Sequence, residues 1–227
     1  MAISLDEIKA IKVFSRAHSS TEVKAQKDFV KIYLKKEEKL LEERQKTNNV
    51  YFVLEGKVSI FKLTEGGQKK IIYLLGKGEM INDDIFGRDS SSVSCEAFED
   101  SIILSINIKN LKALMEKDFI FTTEVLSSIS TKMRRLYRQL KNTVATRIDR
   151  KVAIKLWKLA KEYGVEVEEG TLIDLNLTIN FLAEMLGHPR ENISKAMKHL
   201  EEQGLIVNKS KKIIVDCEKL IKFHKGM

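Results

Sequence analysis

Hydrophobic and polar positions change rhythm along the chain, and each rhythm predicts a different kind of element. Residues 1 to about 20 read as a short helical opening. From Phe29 to Ile108 the apolar residues fall into short β-branched and aromatic runs. Val50–Leu54 ends at Glu55-Gly56, Val58–Leu63 at Thr64-Glu65-Gly66-Gly67, and Ile71–Leu75 at Gly76-Lys77-Gly78. Val93 to Phe98 alternates, and Ile102–Ile108 closes the series. Short strands punctuated by glycine turns predict a compact β-sandwich or barrel. After Asn110 the spacing turns helical. Leu111–Met115 forms a short helix, and then Phe119, Thr122, Leu126, Ile129, Met133, Leu136, Leu140 and Thr143 recur at three- and four-residue steps. Such a heptad seam is longer than a lone small domain needs. It predicts a parallel homodimer joined through Leu126, Ile129, Met133, Leu136 and Leu140. Lys132, Arg134, Arg135, Arg138 and Lys141 lie outside the seam and read as solvated or paired charges.

Past Ala145 a further helix runs to about Tyr163, with Ile148, Val152, Leu156 and Leu159 as its apolar stripe and Trp157 beside it. Val165 to Leu175 reads as a small hairpin. Leu177 to Ile206 then reads as two helices and a tight turn. Thr178 is the expected N-cap of the first, and Leu182, Met185 and Leu186 mark its buried face. Gly187 stops it, and Pro189 is expected just inside the second helix, where its missing N–H is not needed. That second helix divides by face. Ile193, Met197 and Leu200 lie on one side, while Arg190, Glu191, Ser194, Lys195 and Lys198 gather on the other. An apolar back with donors and acceptors in front is how a helix reads a DNA major groove. Leu205–Val207 and Ile213–Val215 flank Lys209-Ser210-Lys211-Lys212, a hairpin whose basic tip suits phosphate.

Composition narrows the class. In 227 residues there are 40 Lys plus Arg against 32 Asp plus Glu, a formal charge of +8 that is compatible with a polyanionic partner. A hydrophobic share of 43% places the chain among globular proteins. No apolar run is long enough to span a bilayer. The opening MAISLDEIKAIKVFS carries early acids, unlike a signal peptide, so the expected compartment is the cytoplasm. Cys95 and Cys217 are far apart, and no disulfide is expected between them. No nucleophile–base pair, metal-ligand spacing or phosphate-binding loop suggests an enzyme.

The order of β-roll, long helix and winged helix-turn-helix resembles the Crp–Fnr family of bacterial transcription regulators. Val50 to Met80, VYFVLEGKVSIFKLTEGGQKKIIYLLGKGEM, is similar to the family's β-roll, and Leu177 to Ile206 to its helix-turn-helix, including the Arg190–Glu191 pair. The resemblance implies an α+β fold. It would comprise a cyclic-nucleotide-binding-like jelly roll over 1–117, a dimerisation helix over 118–145 and a winged helix-turn-helix over 146–227. It implies double-stranded DNA as partner, with Arg190, Glu191, Ser194 and Lys195 reading bases and Thr178, Asn192, Ser210 and Lys211 holding the backbone. His188 would be a turn residue or phosphate neighbour. By family position the loop from Gly164 to Thr171 would touch RNA polymerase.

The resemblance also implies an effector between roll and long helix, where Tyr73, Asp83, Phe86, Met133, Leu136 and Tyr137 would line a pocket. These residues serve equally well as core and seam. Cyclic AMP is not the expected effector. Where the family grips its phosphate this chain has Asn82-Asp83-Asp84 and Ser90-Ser91-Ser92, with no arginine in either triplet. An iron–sulfur cluster is not expected, because no cysteine precedes Cys95. Cys95 itself reads as a core thiol. Haem stays an alternative, with His18 as the one histidine ahead of the DNA-binding part. A helix-turn-helix used only for protein contacts is the rival from another class. Activation and repression, with or without an effector, fit the residues equally.

Overall fold

A computed structural model describes residues 3–87, 90–141, 147–209 and 212–225. The expected seam residue Thr143 and the expected backbone contacts Ser210 and Lys211 lie outside that range. The chain divides into two compact units, 1–64 with 71–141 and 65–70 with 142–227.

The first unit opens with α1 (Leu5–Lys9), a 3-10 turn at Lys12–Phe14 and α2 (Ser19–Asp28). A capping box starts α1: Glu7 N–H donates to the Ser4 hydroxyl and Ser4 N–H to the Glu7 carboxylate. Seven strands follow: β1 (Val30–Leu34), β2 (Lys39–Leu41), β3 (Asn49–Glu55), β4 (Val58–Leu63), β5 (Lys69–Leu75), β6 (Ser94–Ala97) and β7 (Ser101–Asn107). They form two antiparallel-paired sheets, ordered β1-β7-β3 and β2-β6-β4-β5. The expected runs at 50–54, 58–63 and 71–75 are strands, that at 102–108 is strand as far as Asn107, and β1, β2 and β6 complete the roll. At Gly56 the backbone takes φ +77, and an added Cβ would lie 2.4 Å from the Ser101 hydroxyl, so this turn has room only for glycine.

Two cores explain why β3 is apolar without alternation. Tyr51 and Val53 face a core inside the roll with Leu34, Val58, Ile60, Leu75, Cys95 and Ile103. Val50, Phe52 and Leu54 face a second core with the helices, where Phe14, Phe29, Phe121, Leu104 and Ile106 meet them. A strand covered on both faces needs no polar side. Aromatic edges knit the second core: Phe14 lies 4.5 Å from Phe121 and 5.9 Å from Phe29, centroid to centroid, and Phe29 lies 5.7 Å from Phe52.

α3 (Ile108–Lys117), capped by Asn107, leads into the long α4 (Phe119–Lys141). Phe121 and Val125 of α4 are wholly buried in the second core, with Ile129 packed against it. The buried Asp118 carboxylate starts the helix. It accepts Phe121 N–H at 3.0 Å, His18 N–H at 2.8 Å and the Thr21 hydroxyl at 2.8 Å, joining α2 to the first turn of α4.

The second unit holds α5 (Ile148–Tyr163), β8 (Gly164–Val167), β9 (Gly170–Ile173), α6 (Ile179–Leu186), α7 (Arg190–Glu202), β10 (Ile206–Lys209), β11 (Lys212–Val215) and α8 (Cys217–Lys225). Its sheet is ordered β10-β11-β9-β8, so the two expected hairpins share one sheet. Val152, Leu156 and Leu159 of α5 are buried as expected. α8, which the sequence reading did not anticipate, packs on α5 through the buried Leu220. Both cysteines are free, Cys95 buried and Cys217 half-buried. Burial drives the Cys95 thiol far above its ordinary value, leaving it an inert core group. No helix among the described residues is long and apolar enough to cross a membrane.

Burial works to raise the Asp118 carboxyl, but the N–H groups of Phe121 and His18, the Thr21 hydroxyl and the nearby His18 imidazole outweigh it and hold it low. Its contribution to stability is therefore complete above the ordinary carboxylate range and is lost as pH falls through the lowered value. Asp118→Ala should cost about 2 kcal/mol in urea unfolding at neutral pH. The gap between variant and parent should narrow as the titration is carried below about pH 3.

Candidate nucleic-acid interface

The geometry of the second unit begins with a cap. The Thr178 hydroxyl accepts Phe181 N–H at 3.1 Å and opens α6, whose buried Leu182, Ala183 and Met185 set its orientation. Gly187 takes the left-handed conformation, φ 68 and ψ 42, and its N–H donates to the Ala183 carbonyl at 2.8 Å. Pro189 is the N-cap of α7 and not its first helical residue, one position earlier than the sequence suggests. Its carbonyl accepts Asn192 N–H at 3.1 Å, so proline serves here as the last extended residue before the helix.

α7 is split between faces as its pattern predicts. Ile193, Ala196, Met197 and Leu200 are buried, while Arg190, Glu191, Ser194, Lys195 and Lys198 are exposed. Arg190 and Glu191 occupy the first turn, where the helix dipole favours the glutamate. Among the described residues no side-chain hydrogen bond or ion pair engages Arg190, Glu191, Ser194 or Lys195. Lys198 instead pairs with Glu202 at 3.8 Å. Asn192 is half-buried on the flank, and Thr178 is exposed. His188 is a half-buried turn residue; desolvation and the Lys151 cation hold its imidazole below the ordinary value, so it is neutral at neutral pH.

The wing is less positive than its sequence suggests. β10 and β11 pair from Ile206–Val215 to Lys209–Lys212, and Asn208 N–H donates to the Glu201 carboxylate at 3.2 Å, tying the wing to the end of α7. Lys209 reaches both carboxylate oxygens of Glu169, at 2.9 and 2.8 Å, and Lys212 bonds Asp174. The acids come from the β8–β9 hairpin and the segment after it. A cross-strand partner nearly forty residues away leaves no local signal. The expected polymerase-facing stretch Gly164–Thr171 is that same hairpin, with Thr171 hydroxyl donating to Glu166 at 3.2 Å.

In the first unit the six expected pocket residues have different surroundings. Tyr73 hydroxyl donates to the Lys132 carbonyl at 2.7 Å, and Asp83 is half-buried nearby. Phe86 is exposed with the Lys112 ammonium 5.5 Å from its ring, and Met133, Leu136 and Tyr137 are exposed on α4. The residues at the two expected phosphate positions are occupied. Asn82 is fully buried, accepting Tyr51 N–H and donating to the Asn49 carbonyl, both at 3.0 Å. Ser91 is buried with its hydroxyl on the Val93 carbonyl at 2.8 Å. His18 is 59% exposed at the start of α2, its Nδ1 3.5 Å from Asp118. Lys132, read from sequence as a solvated or paired charge, is buried. It falls in register with Phe121 and Val125, the one signal that could have revealed it.

Similarity to known proteins follows the same division. Residues 31–118 match the cyclic nucleotide-binding domain, and residues 150–223 match the Crp-like helix-turn-helix domain. The chain is 25% identical over 179 residues to the anaerobic regulatory protein of Bacillus subtilis, covering 78% of this chain and 75% of that one. It is 22% identical over 175 residues to a CRP-like cAMP-activated global transcriptional regulator of Mycobacterium tuberculosis, covering 76% and 78%. A solved structure of a CooA mutant from Carboxydothermus hydrogenoformans superposes with a TM-score of 0.79 at 20% identity, covering 95% of each chain. With both domains matched in order and the recognition helix built as described, the chain belongs to the Crp–Fnr family of transcription regulators.

Proposed function

We propose that the chain reads a specific DNA sequence as a parallel homodimer on an inverted-repeat operator, and that an effector other than cyclic AMP, acting near the roll and α4, controls it. Residues 1–117 then serve as the sensing roll, 118–145 as the dimer helix and 146–227 as the DNA-binding part. The observation that carries the reading is the outer face of α7. Arg190, Glu191, Ser194 and Lys195 stand exposed on a helix anchored from behind by Ile193, Met197 and Leu200.

The chemistry suits base edges. Arg190 can donate two bonds to guanine O6 and N7, and Glu191 can accept from a cytosine amine. Lys195 reaches guanine or phosphate as a flexible point charge, and Ser194 both donates and accepts. Glu191 is the sharpest filter, because a carboxylate among phosphates is unfavourable unless a base donor meets it. Thr178, Asn192, Ser210 and Lys211 serve the backbone. Leu126, Ile129, Met133, Leu136 and Leu140 would form the dimer seam: Leu126 and Met133 are each 47% exposed and Leu140 70% in the single chain, an apolar stripe that a second α4 would cover. The engagement of Asn82 and Ser91 in the fold supports an effector without a cyclic phosphate.

Operator sequences selected from a random inverted-repeat pool, followed by fluorescence anisotropy, test the DNA reading. Arg190→Ala and Glu191→Ala should each cost about 1–3 kcal/mol on the selected operator and little on scrambled DNA. Lys211→Ala should weaken both about equally. Equal losses from all three variants on both DNAs would remove α7 as the reader. For the dimer, Leu126→Glu and Met133→Glu place charge in the seam while leaving the single chain's core untouched. Each should raise the dimer dissociation constant by at least about tenfold in sedimentation equilibrium.

A further inference from the structure

Past Ile129 the roll-facing stripe of α4 turns polar. Lys132, Arg135 and Gln139 continue it at three- and four-residue steps, and each ends on the roll. Arg135 donates to the Glu79 carboxylate at 3.2 Å and Gln139 to the Ile72 carbonyl at 2.8 Å. Lys132 Nζ donates to the Ile81 carbonyl at 3.0 Å, while the Tyr73 hydroxyl grips the backbone carbonyl of the same lysine. Gln139 is exposed and the half-buried Arg135 still has 34% of its side chain exposed, so water can replace their bonds. Lys132 is only 9% exposed.

That burial is costly. Among the described residues a single carbonyl receives the ammonium, and no carboxylate bonds it directly. Asp83, Glu79 and Asp84 favour its charge from a distance, the Cys95 thiol lies nearby, and burial still pulls the amine below its ordinary value. Glu79 is already shared with Lys12 and Arg135. One carboxylate oxygen of Asp84 is itself buried with no hydrogen-bond partner among the described residues. A position needed only for packing would favour an apolar side chain of the same length, because an ion so poorly compensated contributes little net stability.

We propose that Lys132 is a latch. Its side chain, buried against the roll, fixes the depth and rotation of α4, while the desolvated ammonium, held by the Ile81 carbonyl, draws it toward water, and its withdrawal lets the helix shift. The Leu126–Leu140 stripe lies on the adjacent face of α4, about a quarter-turn away, so it moves with the latch. Desolvation opposes the latched state and the carbonyl and carboxylates favour it. A switch needs two states close in free energy, and these opposing contributions work toward that balance. The latch itself is independent of what the second unit does; its consequence at DNA rests on the regulator reading above.

Two substitutions in the full chain should act in opposite directions. Lys132→Met removes the desolvation cost while keeping length, and should lock α4. Lys132→Glu adds a fourth acid beside Asp83, Asp84 and Glu79, and should release it. Amide hydrogen exchange over residues 126–140 is the direct readout. Lys132→Met should slow it by about tenfold with unchanged or raised melting temperature, and Lys132→Glu should speed it by about tenfold. Exchange within about twofold of the parent in Lys132→Met, or faster, would overturn the latch even if Lys132→Glu failed to fold. On the selected operator the two variants should shift affinity in opposite senses; a shared sense would break the link to DNA. A parent chain that shows no operator preference would instead defeat the regulator reading, with the exchange result still deciding the latch.

Discussion

One helix has to serve two surfaces at once, and the first unit is arranged around that constraint. α4 buries Phe121 and Val125 among Phe14, Phe29 and Phe52 while leaving an apolar stripe from Leu126 to Leu140 in the open. A helix apolar on two adjacent faces would slide or roll if only greasy contact held it, because hydrophobic burial has no direction. Directional bonds prevent that at both ends. Asp118 fixes where the helix begins, through three donors on α2 and α4, and Arg135 and Gln139 tie its far half to the roll.

Local chemistry was legible in the sequence and long-range pairing was not. The turn between α6 and α7 could be read because glycine and proline restrict their own backbone, and the only departure was the one-residue shift of Pro189 to the N-cap. β3, β4, β5 and β7 announced themselves by composition and glycine turns. β2 is too short for any pattern, and β1, Val-Lys-Ile-Tyr-Leu, mixes exposed and half-buried positions without clean alternation. α8 hides its apolar face in nine residues, where Leu220 is the one fully buried side chain among the described residues.

Charged residues were the weakest part of the reading, for a reason that is general. Sequence gives a charge its sign but not its partner. Lys132 looked like any outward lysine until the register with Phe121 and Val125 was set by the roll. The α7 face was different, because its meaning came from what lay behind it. Once Ile193, Met197 and Leu200 are committed to the core, Arg190, Glu191, Ser194 and Lys195 have no choice but to point away.

The wing adds a consequence of its own. A lysine that meets a phosphate ordinarily sets free the small cations condensed on DNA, and the number freed governs how strongly a protein clings to any sequence at all. Lys209 and Lys212 arrive already neutralised by Glu169 and Asp174. To touch the polyanion they must trade one anion for another and leave two carboxylates beside it. In the proposed reading these two lysines add little to indiscriminate adhesion, which falls to Lys211, and the choice of where the chain stops falls to α7.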